Sequence, residues 1–235
     1  MPNSIPIEFR GELINYLSQF ITEKRLSVLH QTLNLRTRYI TVVLEDVYQP
    51  QNASAVLRTC ECFGIQDVHV IERKNKFTAN PQIVMGSAKW LTITKYPSGK
   101  NSTLDAFNTL RQKGYRIVAT SPHANDCSIS NFDLSKGKAA LIFGTELRGL
   151  SNEAMNSADE FIYIPTVGFT ESLNLSVSAA VCVHTLTQRL KNEGVNHSLS
   201  EDEKEEIILQ WLRLSIKSSQ SIIKRFFQSK NQIIK

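Results

Sequence analysis

No stretch of this chain approaches the ~20 consecutive apolar residues that a membrane-spanning helix needs. Its opening Met-Pro-Asn-Ser lacks the charged-then-apolar pattern of a secretion signal, so a cytoplasmic location is expected. Cysteine is scarce. The four, Cys60, Cys62, Cys127 and Cys182, do not make a secreted-type disulfide framework, and they are too few and too spread for a metal centre. Cys60 and Cys62 fall in an apolar helical stretch and are expected to be reduced and inert. Gly-x-Gly-x-x-Gly does not occur, which removes the usual dinucleotide fingerprint, and no glycine-rich loop ends in Gly-Lys-Ser/Thr, which removes the phosphate loop. Acid is missing from the carboxyl end: none follows Glu206, while Arg213, Lys217, Lys224, Arg225, Lys230 and Lys235 do.

The 235 residues, 41% of them apolar and 21% charged, suffice for one globular core with appendages. A formal charge of +5 permits a nucleic-acid partner without requiring one. Residues 8–38 read as helix, with Leu13, Leu17, Phe20 and Ile21 on one face and Leu26, Leu29 and Leu33 on another; Arg10, Lys24, Arg25, Arg36 and Arg38 are expected to project from the rest. Ile40–Val47 is β-branched and short enough for a buried strand. A helix from Ala53 to Phe63, stopped by Gly64, leads to a strand at Val68–Ile71. The alternation continues through strands at 91–94, 115–120, 139–143 and 161–164, and helices at 103–113, 152–157 and 173–191. Strands alternating with helices imply an α/β fold, a mostly parallel sheet with helices on both faces. A polar break at 192–203 precedes a final helix carrying Ile207, Ile208, Trp211, Leu212 and Leu214.

Three stretches place polar and small residues where such folds put strand-to-helix loops, and ligands there bind at the carboxyl ends of strands. The first is Asn52-Ala-Ser-Ala-Val-Leu-Arg58. Asn52 reads as a helix N-cap and, taken alone, as nothing more. Arg58 is either a surface arginine or one held to grip a phosphate with its planar fork. The second, Leu141 to Ser151, runs a strand into Gly144 and Gly149, which frame Glu146. Gly144 would permit close approach of the backbone to a ligand, and Gly149 an unusual turn before the Ser151 cap. The third runs from Ile164 through Gly168 to Ser172-Leu173-Asn174 at the start of a long helix, followed by the small residues Ser176, Ser178, Ala179 and Ala180.

Each stretch alone is weak; their order and joint wording are specific. Asn-x-x-Ala-x-x-Arg, Phe-Gly-x-Glu-x-x-Gly-Leu-Ser and Ile-Pro-x-x-Gly-x-x-x-Ser-Leu-Asn-x-Ser together resemble the three signature motifs of the SPOUT-class RNA ribose methyltransferases, over about Ile40 to Leu190. The tRNA (guanosine-2′-O-)-methyltransferase branch is the most similar. Gly86-Ser-Ala-Lys-Trp90 resembles that branch's Ser-His-Lys-Trp segment, with Ala88 in place of the histidine. The resemblance implies a trefoil-knotted α/β domain at 40–195, flanked by a helical RNA-binding extension at 1–39 and a basic helical one at 196–235. It implies a homodimer, S-adenosylmethionine as cofactor, and tRNA as partner. By position, Arg58 matches the catalytic arginine, and Asn52, Glu146, Ser172 and Asn174 match the polar residues that support it and the substrate. Thr120, Gly144, Ile164 and Leu173 match positions around S-adenosylmethionine.

The expected activity is methylation of a ribose 2′-hydroxyl in tRNA, at the D-loop guanosine of position eighteen. A guanidinium stays protonated below about pH 12, so Arg58 is better placed to position phosphate and hydroxyl than to act as a base. Two alternatives stay open: ribose methylation of ribosomal RNA, and an RNA-binding protein with a silent catalytic fold. Only 39 residues precede the first strand, few for the extra domain that many ribosomal RNA enzymes carry. The basic flanks are expected to supply tRNA affinity, so that removing 217–235 weakens tRNA binding without unfolding the core.

Overall fold

The computed structural model describes residues 5–84, 86–99, 101–121 and 127–233, the last three of these by backbone alone. The opening Met-Pro-Asn-Ser and Lys235 lie outside them. The described chain divides into two compact units, residues 37–197 and a second made from both ends, residues 5–36 and 198–233. Among the described residues no helix is long and apolar enough to cross a membrane.

Among its described residues the larger unit is built on seven strands: β1 (Ile40–Glu45), β2 (Asp67–Ile71), β3 (Thr92–Tyr96), β4 (Arg116–Thr120), β5 (Cys127–Ser128), β6 (Ala139–Phe143) and β7 (Glu160–Tyr163). Their order is β3-β2-β1-β6-β4-β7-β5, and every pairing is parallel. The chain works outward from β1 to β3, returns to lay down β4, and later inserts β6 between β1 and β4. The strand order therefore reverses beside β1 and β6, and a crevice at their carboxyl ends is the place for a ligand.

Both faces are covered, which is why the central strands read as near-continuous apolar runs. Alternate residues sort to opposite sides. Ile40, Val42 and Leu44 of β1 join Leu141 and Phe143 of β6 in one core, with α3 (Pro50–Cys62) and α7 (Leu175–Asn192) supplying Val56, Leu57, Cys60, Cys182, Val183 and Leu186. Val43, Ala140 and Ile142 face the other way, against Phe107 and Leu110 of α5 (Ser102–Gln112) and Ala154 of α6 (Asn152–Ser157). A one-turn helix, α4 (Pro81–Val84), lies in the 72–91 connection. All four cysteines are free, and burial pushes the Cys182 thiol up to about 12.

His69 of β2 is a buried polar group in this sheet. Its Nδ1 lies 3.1 Å from the Tyr96 hydroxyl, and its Nε2 has no partner. Burial, with a smaller contribution from the Lys113 cation, lowers its pKa to about 4. The unfolded chain therefore takes up a proton below pH 6.5 that the folded chain refuses. Stability should fall as pH drops from 6.5 toward 4, by up to about 3 kcal/mol, and gain nothing further above 6.5. His69→Gln should remove that part of the pH dependence in urea titrations; an unchanged slope would discount His69 as its source.

The second unit holds α1 (Ile7–Ser18), α2 (Glu23–Leu33), α8 (Glu201–Ser215) and α9 (Ser219–Ile233). The single helix expected over 8–38 is two, because Thr22 takes an extended conformation and caps α2 through its side chain. The Ser200–Glu203 capping box starts α8, which buries Ile207, Ile208, Trp211 and Leu212. Two of the five basic residues expected to project do not. Arg36 is 2% exposed, with its guanidinium over the Trp211 ring, and Arg38 pairs with Asp67 at 3.1 Å in the larger unit. The carboxyl arm is also no bare charge run. In α9, Ile223 and Phe226 are buried, Phe226 lies 5.3 Å from Tyr16, Phe227 lies 5.9 Å from Phe9, and Lys230 pairs with Glu12. Deleting 217–235 would strip apolar cover from α1, so the deletion unsettles this unit as well as removing charge.

Candidate active site

The motif residues gather at the carboxyl ends of β1 and β6. Asn52 is not the cap of α3: Gln49 takes that place, with Pro50 at the first helical position, and Asn52 lies inside the first turn. Its side chain reaches outward instead. Glu146 can only accept, so Asn52 presents its Nδ2, donating to Glu146 Oε1 at 2.9 Å and to Gln49 Oε1 at 3.1 Å. That leaves Asn52 Oδ1 to accept from Asn174 Nδ2 at 3.2 Å. Asn174 caps α7, its Oδ1 accepting from the Ser176 amide at 2.8 Å and hydroxyl at 2.7 Å. One hydrogen-bonded chain, Glu146–Asn52–Asn174–Ser176, thus joins the 144–151 loop to the starts of α3 and α7, three segments remote in sequence.

The relay edges a cavity of about 630 Å³ lined by Thr120, Phe143, Gly144, Glu146, Leu150, Ser172, Leu173 and Asn174, among others. A small recess, about 70 Å³, shares Thr120, Ser172 and Leu173 with it and adds Ile164. The expected site residues other than Asn52 and Arg58 therefore border one connected region, and Asn52 is buried behind it, tied to its edge through Glu146 and Asn174. Arg58 lines neither space. It stands six residues beyond Asn52, about 9 Å along the axis of α3, exposed and with no hydrogen bond or ion pair to the described residues.

Gly144 is needed for a different reason from the one its sequence suggested. A Cβ there would lie 2.2 Å from the carbonyl carbon of Gly149 and 2.4 Å from the Leu150 amide. The close approach is of the loop to itself. Thr145 and Gly149 exchange backbone hydrogen bonds at 2.9 and 3.0 Å, and Gly149 turns the chain with φ 64°. Ser151 then caps α6, accepting from the Ala154 amide at 3.1 Å.

What holds this loop in place was not among the expected site residues. Glu45, 1% exposed at the end of β1, accepts from the Ser151 amide at 2.9 Å, the Ser151 hydroxyl at 2.8 Å and the Thr103 hydroxyl at 2.7 Å. Arg73 approaches it at 3.5 Å and reaches Glu153 of α6 at 3.3 Å. A buried carboxylate is tolerable only with such a complete set of donors. The available signal was an acid ending an otherwise apolar strand. Among the described residues no cluster of three or more histidine, cysteine or acidic side chains could hold a metal ion.

A parallel sheet whose strand order reverses at β1 and β6, with this relay at its mouth, is the frame of an α/β ligand-binding enzyme. The SpoU rRNA Methylase family matches over residues 39–184, and the chain belongs to that family. Within it, a protein of Borreliella burgdorferi named tRNA (guanosine(18)-2′-O)-methyltransferase is 43% identical over 209 residues, spanning 89% of this chain and 94% of its own. A Thermus thermophilus protein of the same name is 31% identical over 194 residues, spanning 82% and 97%. The crystal structure of the Aquifex aeolicus TrmH/SpoU tRNA modifying enzyme superposes with a TM-score of 0.73 at 29% identity, covering 83% of this chain and 98% of that one.

Proposed function

We propose that this chain methylates the 2′-hydroxyl of guanosine eighteen in the D-loop of tRNA, using S-adenosylmethionine, in the cytoplasm. The observation that carries the reading is the Glu146–Asn52–Asn174 relay at the edge of a ligand-sized cavity, in a chain 43% identical to a protein of that name. The cavity suits the cofactor. It is of roughly the 300–1,000 Å³ size of small-molecule sites. Phe143, Leu150 and Leu173 offer apolar walls for a flat ring, and Glu146 and Glu171 offer negative charge to a sulfonium. Bound there, S-adenosylmethionine would supply an activated methyl group. Thr120, Gly144, Ile164 and Leu173 would hold it, while Glu146, Asn52, Asn174 and Ser172 would fix the ribose, excluding other approaches. Arg58, with its fork unengaged, would grip the neighbouring phosphate and orient the hydroxyl.

The active form is a homodimer in this reading, with the trefoil knot of its class. Arg58 borders neither the cofactor-sized cavity nor its recess, and Val177 of α7 is 46% exposed in a row of small residues, both of which suit a site completed by a second copy. The helical ends, 1–39 and 196–235, act as RNA-binding extensions of the 40–195 catalytic domain. Incubating the protein with S-adenosylmethionine and an unmodified tRNA transcript should place one 2′-O-methyl group, on guanosine eighteen. A mark confined to ribosomal RNA would overturn the substrate, and an active monomer in sedimentation would remove the dimer.

Two variants separate roles within this reading. Asn174→Asp keeps an acceptor for the Ser176 amide but turns a carboxylate toward Asn52 Oδ1, where both atoms can only accept. Asn174→Asp should therefore melt close to wild type yet lose methyl transfer, whereas Asn174→Ala should lose about 1 kcal/mol of stability as well. Activity that tracks only the folded fraction would make Asn174 structural. In the basic arm, Lys217, Lys224 and Arg225 are exposed. Changing all three to alanine leaves the buried face of α9 intact. It should lower the log–log salt slope of tRNA binding by roughly 2–3, with cofactor affinity unchanged. An identical slope would show that the arm touches no phosphate.

A further inference from the structure

A second cavity, of about 770 Å³, lies across the 144–151 loop from the first, and Glu146 and Arg148 border both. Its two walls are fixed by the backbone. On one side Asp46, in the left-handed region at φ 55°, accepts the amides of Arg73, Lys74 and Asn75 at 3.1, 2.7 and 2.8 Å. On the other, Thr145 pairs with Gly149 and its hydroxyl accepts the Arg148 amide at 3.1 Å. Between these walls stands Tyr48, 71% exposed. Arg73 is engaged by Glu45 and Glu153, but Lys74 and Arg148 make no ion pair among the described residues. A rigid slot thus presents an aromatic face and two unengaged cations beside the residues assigned to the ribose.

We propose that this second cavity seats the nucleotide next to the methylated one, its base stacked on Tyr48 and its phosphate held by Lys74 and Arg148. The inference rests on the reading of the chain as an RNA ribose methylase. A ribose presented to Glu146 and Asn52 carries its neighbour on the same strand, and that neighbour must lie somewhere along the shared wall. Unpaired RNA is held in general by stacking on aromatic rings and by cations along the backbone, which are the two chemistries found here. Loop amides cannot compete for the phosphate, because Asp46 already takes those of residues 73–75.

The test is steady-state methylation of a tRNA transcript by wild type, Tyr48→Ala, Tyr48→Phe and Lys74→Ala, with S-adenosylmethionine affinity measured by titration calorimetry. Losing one stacked base should raise the KM for tRNA about tenfold in Tyr48→Ala, while Tyr48→Phe keeps the ring and stays within about twofold of wild type. Lys74→Ala should lower the salt slope by about 0.7, one single-strand phosphate contact. Cofactor affinity should be unchanged in all three. Wild-type KM in Tyr48→Ala with a wild-type slope in Lys74→Ala overturns the proposal. So does a Tyr48→Phe as poor as Tyr48→Ala, which would mean the hydroxyl matters and stacking does not. If wild type methylates only some other RNA, the tRNA reading falls, and the same variants assayed on that RNA decide the second cavity.

Discussion

Arg58→Ala should abolish methyl transfer while leaving S-adenosylmethionine affinity and the melting temperature close to wild type. The fold makes this separation possible. Arg58 is exposed on α3 and makes no hydrogen bond or ion pair with the described residues, so its removal breaks nothing that holds the chain together. Alanine is also a better helix former than arginine, which leaves a stability change within about 0.5 kcal/mol. The loss must then come from the substrate side. Orienting a hydroxyl and its phosphate through a bidentate fork is an interaction of the kind whose removal costs on the order of 10²–10³ in turnover. Arg58→Lys should recover little, since a point charge on a flexible stem does not reproduce the fork. Turnover of the purified variant with saturating tRNA and cofactor decides the matter. Near-wild-type turnover would remove Arg58 from the chemistry.

The second large effect is expected at Gly144. Alanine there puts a methyl group 2.2 Å from the Gly149 carbonyl carbon and 2.3 Å from its oxygen, and both obstacles are backbone. The loop cannot simply slide away. Its near end continues β6, paired on both sides, and its far end is fastened through Ser151 to the buried Glu45. The strain should therefore cost roughly 1–3 kcal/mol of stability, the usual range for overpacking, and open the Thr145–Gly149 pair. Since that loop walls the cofactor cavity, S-adenosylmethionine affinity should fall more than tenfold. Calorimetric titration and a melting curve on the same preparation test both halves. Unchanged affinity would show that the cofactor does not depend on this loop's shape.

What could be seen in the sequence follows from how local each cause is. The strands were legible because β1 and β6 are buried on both faces and so are apolar at all but Thr41 and Glu45. Their order in the sheet was not, since no residue of β6 announces that it will enter between β1 and β4. The cap at Asn174 was a local matter of one side chain and the next turn, and the sequence placed it beside the helix start. Asn52 carried the same residue type at a helix start. Pro50 shifted the helix three residues earlier, and the side chain found a carboxylate 94 positions away instead. Glu45 was invisible for that reason too, its partners coming 58 and 106 residues later. At the chain's ends, Leu13 and Leu17 followed by Leu29 and Leu33 looked like one helix because neither proline nor glycine separates them. The second carboxyl-terminal helix went unread because its charges hid the Ile223 and Phe226 stripe.

The late insertion of β6 also bears on how the chain is made. Ile40 pairs with Ala139, 99 residues further along, and Val42 with Leu141. While the ribosome is still delivering those residues, β1 can pair with β2 on one side only, and its other edge stays open. The edge is mostly apolar and free of charge until Glu45, the kind prone to pair with a second nascent chain. Closing it requires a long-range contact that carries its loop entropy before any reward, so refolding should be slow and sensitive to protein concentration. The strand that ends this exposure also leads into the 144–151 loop, so closing the open edge and laying down one wall of the ligand crevice are the same step.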